Sequence, residues 1–262
     1  MITLASDFGS PYPAAMKGVI LSRTDAQLVD VSHSLPRQDP RAGAFWLRET
    51  LPYFPPAVHL AVVDPGVGTD RRALVVRVGD HALVGPDNGL LRPVARRLAD
   101  QQDGDPAVSA VEISVENPAS TTFHGRDVFA PAAAEIHAQG LDRLDQLDDI
   151  ELLSPTPLES CVDLSFPEPR VDGGAIMGEV LVVDEFGNVI TNVPGEQLAD
   201  ADRATVNGDP TPVVETFAAV ERGEQLLTVG SHGYVECDVN AGRGDDAFGL
   251  TAGEAVRLVV EH

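Results

Sequence analysis

The chain has 262 residues, of which 43% are hydrophobic, enough for a core in one large domain or two ordinary ones. Its formal net charge is −23, because 41 acidic side chains outnumber 18 basic ones. No basic stripe is available to neutralise phosphates, so nucleic-acid binding is disfavoured. No apolar run approaches 20 residues and no basic-then-apolar leader is present, so neither a membrane span nor a signal peptide is expected.

The cysteine and lysine contents indicate the redox and salt conditions in which the protein works. Cys161 and Cys237 are too few for a disulfide framework or a cysteine-based zinc site, and they fit a reducing cytoplasm. Lys17 is the only lysine. An acidic, lysine-poor surface is typical of a halophilic protein, in which counterions screen the repulsion between like charges. Binding to a cationic partner is the weaker alternative, because the acidic residues are spread along the chain.

The first half of the chain alternates short apolar strands with helices. The predicted strands span residues 1–5, 27–31, 58–63, 73–78, 82–84 and 107–115, and the predicted helices span residues 14–23, 40–50, 90–98 and 128–138. Asp39 is the predicted cap of the second helix, with Pro40 in its first turn. This alternation predicts an α/β layered domain with a largely parallel sheet.

The pattern changes near residue 140. Residues 141–170 are acidic and contain several prolines, which predicts a linker with one short helix. The later β-rich runs are short and separated by glycines; they span residues 176–183, 188–192, 204–206, 226–229, 234–239 and 255–260. They predict a small antiparallel barrel or sandwich. We therefore expect an N-terminal domain over 1–160, with the linker from about 141, and a C-terminal domain over 170–262.

The most informative stretch follows the apolar strand over residues 58–63. Asp64-Pro65-Gly66 ends this strand, and Arg71 and Arg72 follow within the same loop. Polar residues thus gather at the C-terminal end of a core strand, where α/β proteins place their ligands. A structural Asp–Arg pair that braces the turn is the alternative.

Further polar loops follow other core strands of this domain. With the Asp64 loop they make a set of five, at Asp7, His33, Asp64, Asp87 with Asn88, and His124. Five such loops on one domain favour a site at one sheet edge. Each has a simpler interpretation: Asp7 as a helix cap, Asp87 as turn chemistry, and His124 as a core histidine. Lys17 fits a buried salt bridge as well as a ligand contact.

Two loops of the second domain are also candidates. Residues 184–188 and residues 230–234 each join two predicted strands, and the glycines of the second loop would let backbone N–H groups approach an anion. Both loops are also compatible with plain hairpin turns. Phe217 could belong to a core or could stack on a base.

Two enzyme classes compete on these residues. A metal-dependent hydrolase would use Asp7, Asp64, Asp87 and His124 as ligands. A metal-free enzyme would bind a polar small molecule between the two domains. The arginines beside Asp64 argue against a divalent cation there.

Six motifs together resemble a known family. They lie, in order, at residues 6–9 (SDFG), 16–18 (MKG), 63–69 (VDPGVGT), 85–89 (GPDNG), 122–127 (TFHGRD) and 184–188 (DEFGN). This set resembles the S-adenosyl-L-methionine (SAM) hydroxide adenosyltransferases, the adenosine-forming SAM hydrolases, which are relatives of fluorinase and chlorinase. The resemblance covers nearly the whole chain.

The resemblance implies an α/β domain followed by a C-terminal antiparallel β-barrel. It also implies a homotrimer whose sites lie between one subunit's N-terminal domain and its neighbour's C-terminal domain, with SAM as the substrate and no cofactor. The hydrolase triad maps onto Asp64, Arg71 and His124, with Arg72 as the alternative register. The halogenases have tyrosines where this chain has Asp64 and His124, and fluorinase has a serine at Gly125, so these departures favour the hydrolase branch.

The resemblance also implies substrate contacts. Asp7 is expected to hold the ribose hydroxyls. The other contacts are Phe186, Asn188 and Phe217 on adenine, and Asp184 and Ser231 on the amino-acid group of methionine. Fluorinase has an arginine at the position of His232 and a tryptophan at that of Gln38.

The implied reaction is hydrolysis of SAM to adenosine and L-methionine. Because methionine leaves the sulfonium as a neutral group, the reaction needs only an oriented water in line with the C5′–S bond. The hypothesis is that Asp64 and His124 orient and deprotonate this water, while Arg71 stabilises developing hydroxide character. The alternatives are a halogenase that makes 5′-halo-5′-deoxyadenosine and a non-catalytic SAM or adenosine sensor.

The charge gives a first prediction. Repulsion at net −23 should destabilise the trimer at low salt, because the Debye length is about 30 Å at 0.01 M and about 3 Å at 1 M. Melting temperature and trimer content, from thermal unfolding and sedimentation, should rise steeply from low to molar salt. A melting temperature that is flat over this range would remove the halophilic interpretation.

Overall fold

The computed structural model describes residues 1–102, 104, 106–115, 119–140, 143 and 153–261. The chain divides into two compact units, Met1–Ser165 and Phe166–His262. Most of the first part of the predicted linker, residues 141–142 and 144–152, lies outside the described residues. In the described ranges, no helix is both long and apolar enough to cross a membrane.

The first unit alternates strands and helices in the predicted order. Its strands are β1 (Ile2–Ser6), β2 (Leu28–Ser32), β3 (Val58–Val62), β4 (Ala73–Val78), β5 (His81–Pro86), β6 (Val108–Ile113) and β7 (Leu153–Thr156). Its α-helices are α1 (Tyr12–Leu21), α2 (Pro40–Thr50), α3 (Arg92–Asp100) and α4 (Ala130–Gln139). A π-helical turn, Gly125–Phe129, leads directly into α4. The Asp39 side chain caps α2 as predicted, by accepting the Ala42 N–H at 3.0 Å.

The strands of the first unit form one sheet in the order β2-β1-β3-β5-β4-β6-β7. The strands β2, β1, β3 and β5 pair in parallel, whereas β5, β4, β6 and β7 pair antiparallel. The predicted α/β class is confirmed, and its parallel pairing is confined to one half of a mixed sheet. The reason is local: Gly79 and Asp80 join β4 to β5 in a two-residue hairpin, which requires antiparallel strands.

Part of the predicted linker belongs to this sheet. Leu153–Thr156 pair with β6, so these four residues are an edge strand and not a free connection. Pro155 is tolerated there because an edge strand has one side without ladder partners. Among the described residues of this segment, a 3₁₀ turn spans Leu158–Ser160. Asp163 then forms an ion pair with Arg96, which ties the end of the segment to α3.

The core of the first unit lies between the sheet and the helices α1 and α4. Every residue of β3 is buried, and so are Met16 and Ile20 of α1. The buried alanines of α4, including Ala133 and Ala134, allow that helix to lie close to the strands. This packing fixes the C-terminal ends of β1 and β3, from which the site loops leave.

A buried polar chain crosses the other end of the parallel strands. The Nδ1 atom of His59 lies 2.8 Å from Thr3 Oγ1, and its Nε2 atom lies 2.9 Å from Nδ1 of His81. The two imidazole rings stack with centroids 5.2 Å apart. Burial, followed by the charge of His81, lowers the pKa of His59 to about 3, and burial also lowers the pKa of His81. Both rings are therefore neutral at pH 7.

The second unit is a nearly closed antiparallel barrel, as predicted. Its elements are β8 (Arg170–Asp172), β9 (Ala175–Val183), β10 (Val189–Pro194), β11 (Arg203–Val206), β12 (Asp209–Pro212), β13 (Gln225–Val229), β14 (Tyr234–Val239), α5 (Gly244–Phe248) and β15 (Ala255–Glu261). The sheet order is β12-β11-β15-β9-β10-β14-β13, with β8 added on β9. A bridge between Val213 and Leu227 links the segment after β12 to β13 and so brings the two ends of the sheet together. The elements β8, β12 and α5 were not predicted.

Candidate active site

The loop after β3 holds a two-point ion pair. Arg71 Nε donates to Asp64 Oδ1 at 2.8 Å, and Arg71 Nη2 donates to Asp64 Oδ2. The side chains of Arg71 and Asp64 are only 10% and 4% exposed. The loop passes close to Thr121: at Gly68, which has φ +78°, a Cβ would lie 2.7 Å from the Thr121 carbonyl oxygen. Glycine at this position lets the loop bring the arginine back over the aspartate.

His124 is the third member of this group. Arg71 Nη2 lies 2.9 Å from Nδ1 of His124, and a guanidinium can only donate hydrogen bonds. Nδ1 therefore accepts, which makes the ring neutral with its proton on Nε2. Burial lowers the pKa of His124, and the positive charge of Arg71 lowers it further, against smaller opposing effects of Asp64 and Asp127. The structure thus assigns a neutral, Nε2-protonated imidazole at pH 7.

The π-helical turn completes the support of the guanidinium. Phe129, at the end of this turn, is fully buried, and its ring centroid lies 5.1 Å from the Arg71 guanidinium carbon. A cation over an aromatic face is attracted by the ring quadrupole. Asp64, His124 and Phe129 therefore fix Arg71 from three sides.

A cavity of about 360 Å³ opens beside this group. It is lined by Phe8, Tyr12, Arg37, Val62, Asp64, Val67, Thr122, Phe123, His124 and Gly125. Phe123 packs edge-to-face against Phe8 and Tyr12, with centroids 6.0 and 5.5 Å apart. The lining combines apolar side chains with convergent polar groups, and such a combination is typical of a site for a polar small molecule.

Arg72 points elsewhere. Its Nε donates to Asp87 Oδ2 at 2.8 Å, and its Nη2 donates to the Ser160 carbonyl at 2.5 Å. Asp87 Oδ1 in turn accepts the Val162 N–H at 2.8 Å. Arg72 and Asp87 therefore hold residues 157–162 against the sheet, and it is Arg71 that contacts Asp64 and His124.

The residues of the metal alternative do not converge. Both oxygens of Asp64 bond to Arg71, and both oxygens of Asp87 bond to Arg72 or Val162. Within the described part of the chain, no group of three or more His, Cys, Asp or Glu side chains is arranged to hold a metal ion.

Asp7 and His33 lie in neighbouring loops. Asp7 is 8% exposed and accepts the Gln38 N–H at 2.7 Å, so its role is not to cap α1. His33 bonds to Ser6 Oγ at 2.8 Å and to Asp30 at 3.0 Å. Asp30 also pairs with Lys17 at 2.6 Å in a partly exposed salt bridge. Neither His33 nor Lys17 lines the cavity.

The other candidate residues belong to the second unit. Asp184 Oδ1 accepts the N–H groups of Phe186 and Asn188, both at 2.9 Å, and Asp184 Oδ2 accepts Asn188 Nδ2 at 3.0 Å. One turn thus brings these three residues together. Phe186 is 79% and Phe217 is 39% exposed, and Phe217 begins a separate 3₁₀ turn. Ser231 is exposed in the turn between β13 and β14.

The sequence analysis missed several residues of functional interest. Tyr12 and Arg37 line the cavity, and the only signal for them is that each adjoins a polar loop. Phe123 also lines the cavity, and it lies within the motif at residues 122–127 but is not among the predicted site residues. Glu236 and Asp238 on β14 are buried, with 7% and 0% exposure. Glu236 and Asp238 alternate with Val235 and other apolar residues, a pattern typical of a strand with one face in solvent. The sequence therefore gives no signal that these two carboxyl groups are buried.

The chain matches known proteins over most of its length. Family models for the SAM hydroxide adenosyltransferase N-terminal and C-terminal domains match residues 2–147 and 178–257. Proteins named (R)-S-adenosyl-L-methionine hydrolase from Salinispora tropica and Thermus thermophilus are 41% and 42% identical, over 98% and 97% of this chain and 97% of each relative. A crystal structure of an uncharacterized conserved protein from Thermotoga maritima has a TM-score of 0.80 and 33% identity, and the match covers 99% of this chain and all of that one.

The Arg71–His124 contact gives a second prediction. In Arg71→Leu the pKa of His124 should rise, because a nearby positive charge is lost and the Asp64 carboxylate is left unpaired beside the ring. NMR titration of the His124 ring measures this. Arg72→Leu is the matched control and should leave the His124 pKa unchanged, because Arg72 bonds to Asp87 and Ser160. An unchanged or lower pKa in Arg71→Leu would contradict the contact.

Proposed function

The chain belongs to the SAM hydroxide adenosyltransferase family, and from this premise we propose that it hydrolyses SAM to adenosine and L-methionine. The observation that carries the proposal is the buried Asp64–Arg71–His124 group, of which Asp64 and His124 line the cavity. The relatives from Salinispora tropica and Thermus thermophilus, which match nearly the whole chain, are named as hydrolases of this substrate. The halogenase alternative is not favoured, since both tyrosine positions of the halogenases are occupied by Asp64 and His124.

The reaction requires a positioned water. Its oxygen attacks C5′, the C5′–S bond breaks with its electron pair moving to sulfur, and one proton is released to solvent. Because the leaving group is a neutral thioether, no acid is needed to protonate it. Holding the water in line with the C5′–S bond removes much of the entropic part of the barrier.

The hydrogen bonds of the site support distinct roles for the three side chains. Each oxygen of Asp64 accepts one bond from Arg71 and retains a lone-pair direction that can accept a proton of the water. The Nε2–H of His124 can donate to the water oxygen, since its Nδ1 is engaged by Arg71. We therefore assign proton acceptance to Asp64, water orientation to His124, and stabilisation of developing hydroxide charge to Arg71.

The substrate contacts are proposed on the same basis. One oxygen of Asp7 accepts the Gln38 N–H, which leaves the carboxylate able to accept a ribose hydroxyl. The exposed rings of Phe186 and Phe217 can stack on adenine, with Asn188 beside them. Asp184 and Ser231 are assigned to the amino-acid group of methionine.

We further propose a homotrimer in which the N-terminal domain of one subunit and the C-terminal domain of its neighbour share each site. The domains are those expected over residues 1–160 and 170–262. No cofactor is needed, since SAM supplies the leaving group. The proposed location is the cytoplasm, which is consistent with the free thiols of Cys161 and Cys237.

Isotope labelling tests the reaction type. In water enriched in heavy oxygen, SAM should give adenosine that carries the label in its 5′-hydroxyl group, with L-methionine as the second product. Mass spectrometry of the separated products measures this. The same yield is expected with EDTA at adequate salt. If chloride or fluoride gave 5′-halo-5′-deoxyadenosine as the main product, the hydrolase assignment would be wrong, and SAM binding without adenosine release would favour a sensor.

Substitution of Asp64 tests the mechanism. Asp64→Asn should lower kcat by about 10²–10⁴-fold and leave SAM affinity nearly unchanged, because the lost proton acceptor acts mainly in the transition state. Steady-state kinetics and titration calorimetry measure the two effects.

Three further variants complete this test. Asp7→Asn should first weaken binding, because a ribose contact is lost in ground and transition states alike. Arg71→Ala should lower kcat by a factor similar to that of Asp64→Asn, whereas Arg72→Ala should affect it far less. Full turnover in Asp64→Asn, or loss of SAM binding in it, would refute the role given to Asp64.

A further inference from the structure

Two buried carboxyl groups on β14 have no part in the mechanism described above. Glu236 and Asp238 share the face of the strand opposite to Val235 and Cys237, which belong to the barrel core. Asp238 is 0% exposed, and neither of its carboxyl oxygens has a hydrogen-bond partner within the described part of the chain. An unpartnered buried carboxyl group is costly, so its retention calls for a partner that binds from outside.

Strand register places a third carboxylate beside these two. Val189 of β10 is opposite Cys237 of β14 on one side and Val183 of β9 on the other. One step along, Asn188 therefore lies next to Asp238, and Asp184 bonds to Asn188. Burial, followed by the charge of Asp184, raises the pKa of Glu236 to about 7. Burial and the charges of Glu236 and Asp184 raise the pKa of Asp238 to about 8.

The Glu236 carboxyl group lies directly under a loop assigned to the substrate. A Cβ at Gly230 would overlap this carboxyl group, so the Glu236 carboxyl group lies directly against the backbone of Gly230. Gly230 begins the turn that carries Ser231, and this turn is closed by a bond from Gly233 N–H to the Gly230 carbonyl at 2.9 Å. Glu236 thus borders the Ser231 turn, and it lies close enough to Asp184 to sense its charge.

The surroundings supply little positive charge. Besides the three carboxyl groups, the charged or titratable groups on β14, its turn and the elements packed most closely against them are Glu185, Glu196, His232, Tyr234, Cys237, Arg243, Asp245 and Asp246. Arg243 bonds to Asp245 at 2.7 and 3.0 Å and to the Glu185 carbonyl at 3.2 Å. Residues opposite Glu236 and Asp238 on β13 are the uncharged Thr228 and Leu226. The local excess of negative charge therefore favours a cationic ligand.

We propose that Glu236 and Asp238 form, with Asp184, an acidic pocket that receives the α-ammonium group of the substrate and loses a proton when that group binds. This inference rests on the proposed function, because Asp184 and Ser231 are assigned there to the amino-acid group. In the binding step, the O–H bond of a carboxyl group breaks, its proton passes to solvent, and the ammonium takes its place. The charge of the pocket is conserved.

Proton release on binding tests the proposal without turnover. S-Adenosyl-L-homocysteine carries the ammonium group, whereas 5′-methylthioadenosine lacks the whole amino-acid part. At pH 7.5 in weak buffer with an indicator dye, the first ligand should release protons from the wild-type enzyme and the second should release none. Equal release by both ligands, or none by S-adenosyl-L-homocysteine once calorimetry shows it bound, would overturn the proposal.

The kinetics of adenosine formation provide a second test of the proposal. In the wild type, kcat/KM for SAM should fall as the pH drops through about 8 to 7, because the carboxyl groups then hold their protons. Glu236→Gln should lower kcat/KM at pH 8.5 by roughly 10- to 100-fold, the range expected for a hydrogen bond to a charged group. It should also make this pH dependence shallower, because only Asp238 then still titrates in this range. It should leave kcat within about twofold, since the contact is made equally in ground and transition states.

Matched controls separate recognition from folding. Glu221→Gln removes an exposed carboxylate of the same unit and should behave as the wild type. Inhibition by 5′-methylthioadenosine should be the same in the wild type and in Glu236→Gln; equal weakening of both ligands would mean a structural role and would overturn the proposal. If Glu236→Gln does not fold, Asp238→Asn replaces it, with the same loss in kcat/KM expected. If proton release occurs but adenosine never forms, the pocket stands and the hydrolase assignment fails.

Discussion

The site of the first unit depends on one guanidinium. Arg71 is the only group that touches Asp64, His124 and Phe129 together among the contacts of the described residues. Because a guanidinium donates and never accepts, it fixes both the orientation of the carboxylate and the tautomer of the imidazole. Removing one partner of such a buried pair typically costs about 3–5 kcal/mol. The tight loop with glycine at position 68 and the π-helical turn are both needed to bring these groups to Arg71.

The two units differ in whether their buried carboxyl groups have an arginine partner. In the first unit, Asp64 and Asp87 each have an arginine partner, and Asp64 is the one of the two that lines the cavity. In the second unit, Asp238 has no such partner among the described residues, and Arg243, in the loop after β14, is bound to Asp245. SAM combines a reacting centre with a distant charged amino-acid group. Under the proposed function, a carboxylate paired with arginine suits the first requirement, and unpaired carboxyl groups suit the second.

The sequence predicts those features of the fold that depend only on residues close together in the chain. The β3 strand and its Asp64 loop follow from a short apolar run that ends at proline and glycine, and the α2 start follows from Asp39 and Pro40. Which of Arg71 and Arg72 contacts Asp64 depends on how the loop enters β4, because adjacent residues point to opposite sides. The two arginines have the same side chain, so the sequence alone could not distinguish them. The same limit applies to Glu236 and Asp238, whose alternation is that of a solvent-facing strand face. Pro155 likewise suggests a linker, whereas pairing with β6 makes it part of an edge strand.

The strand β3 carries titratable groups at both ends, with different consequences in acid. Asp64 follows one end, whereas His59 lies at the other, roughly 16 Å away at about 3.3 Å per residue. The folded chain keeps His59 neutral down to about pH 3, whereas an unfolded chain protonates this histidine below about pH 6.5. Its contribution to the free energy of unfolding is complete above about pH 6.5 and is lost as the pH falls toward 3. A pH–rate profile of this enzyme therefore contains two superimposed processes in acid, titration of the reacting groups and reversible loss of folded enzyme. Denaturant unfolding at each pH is the measurement that separates catalytic protonation from depletion of the catalyst.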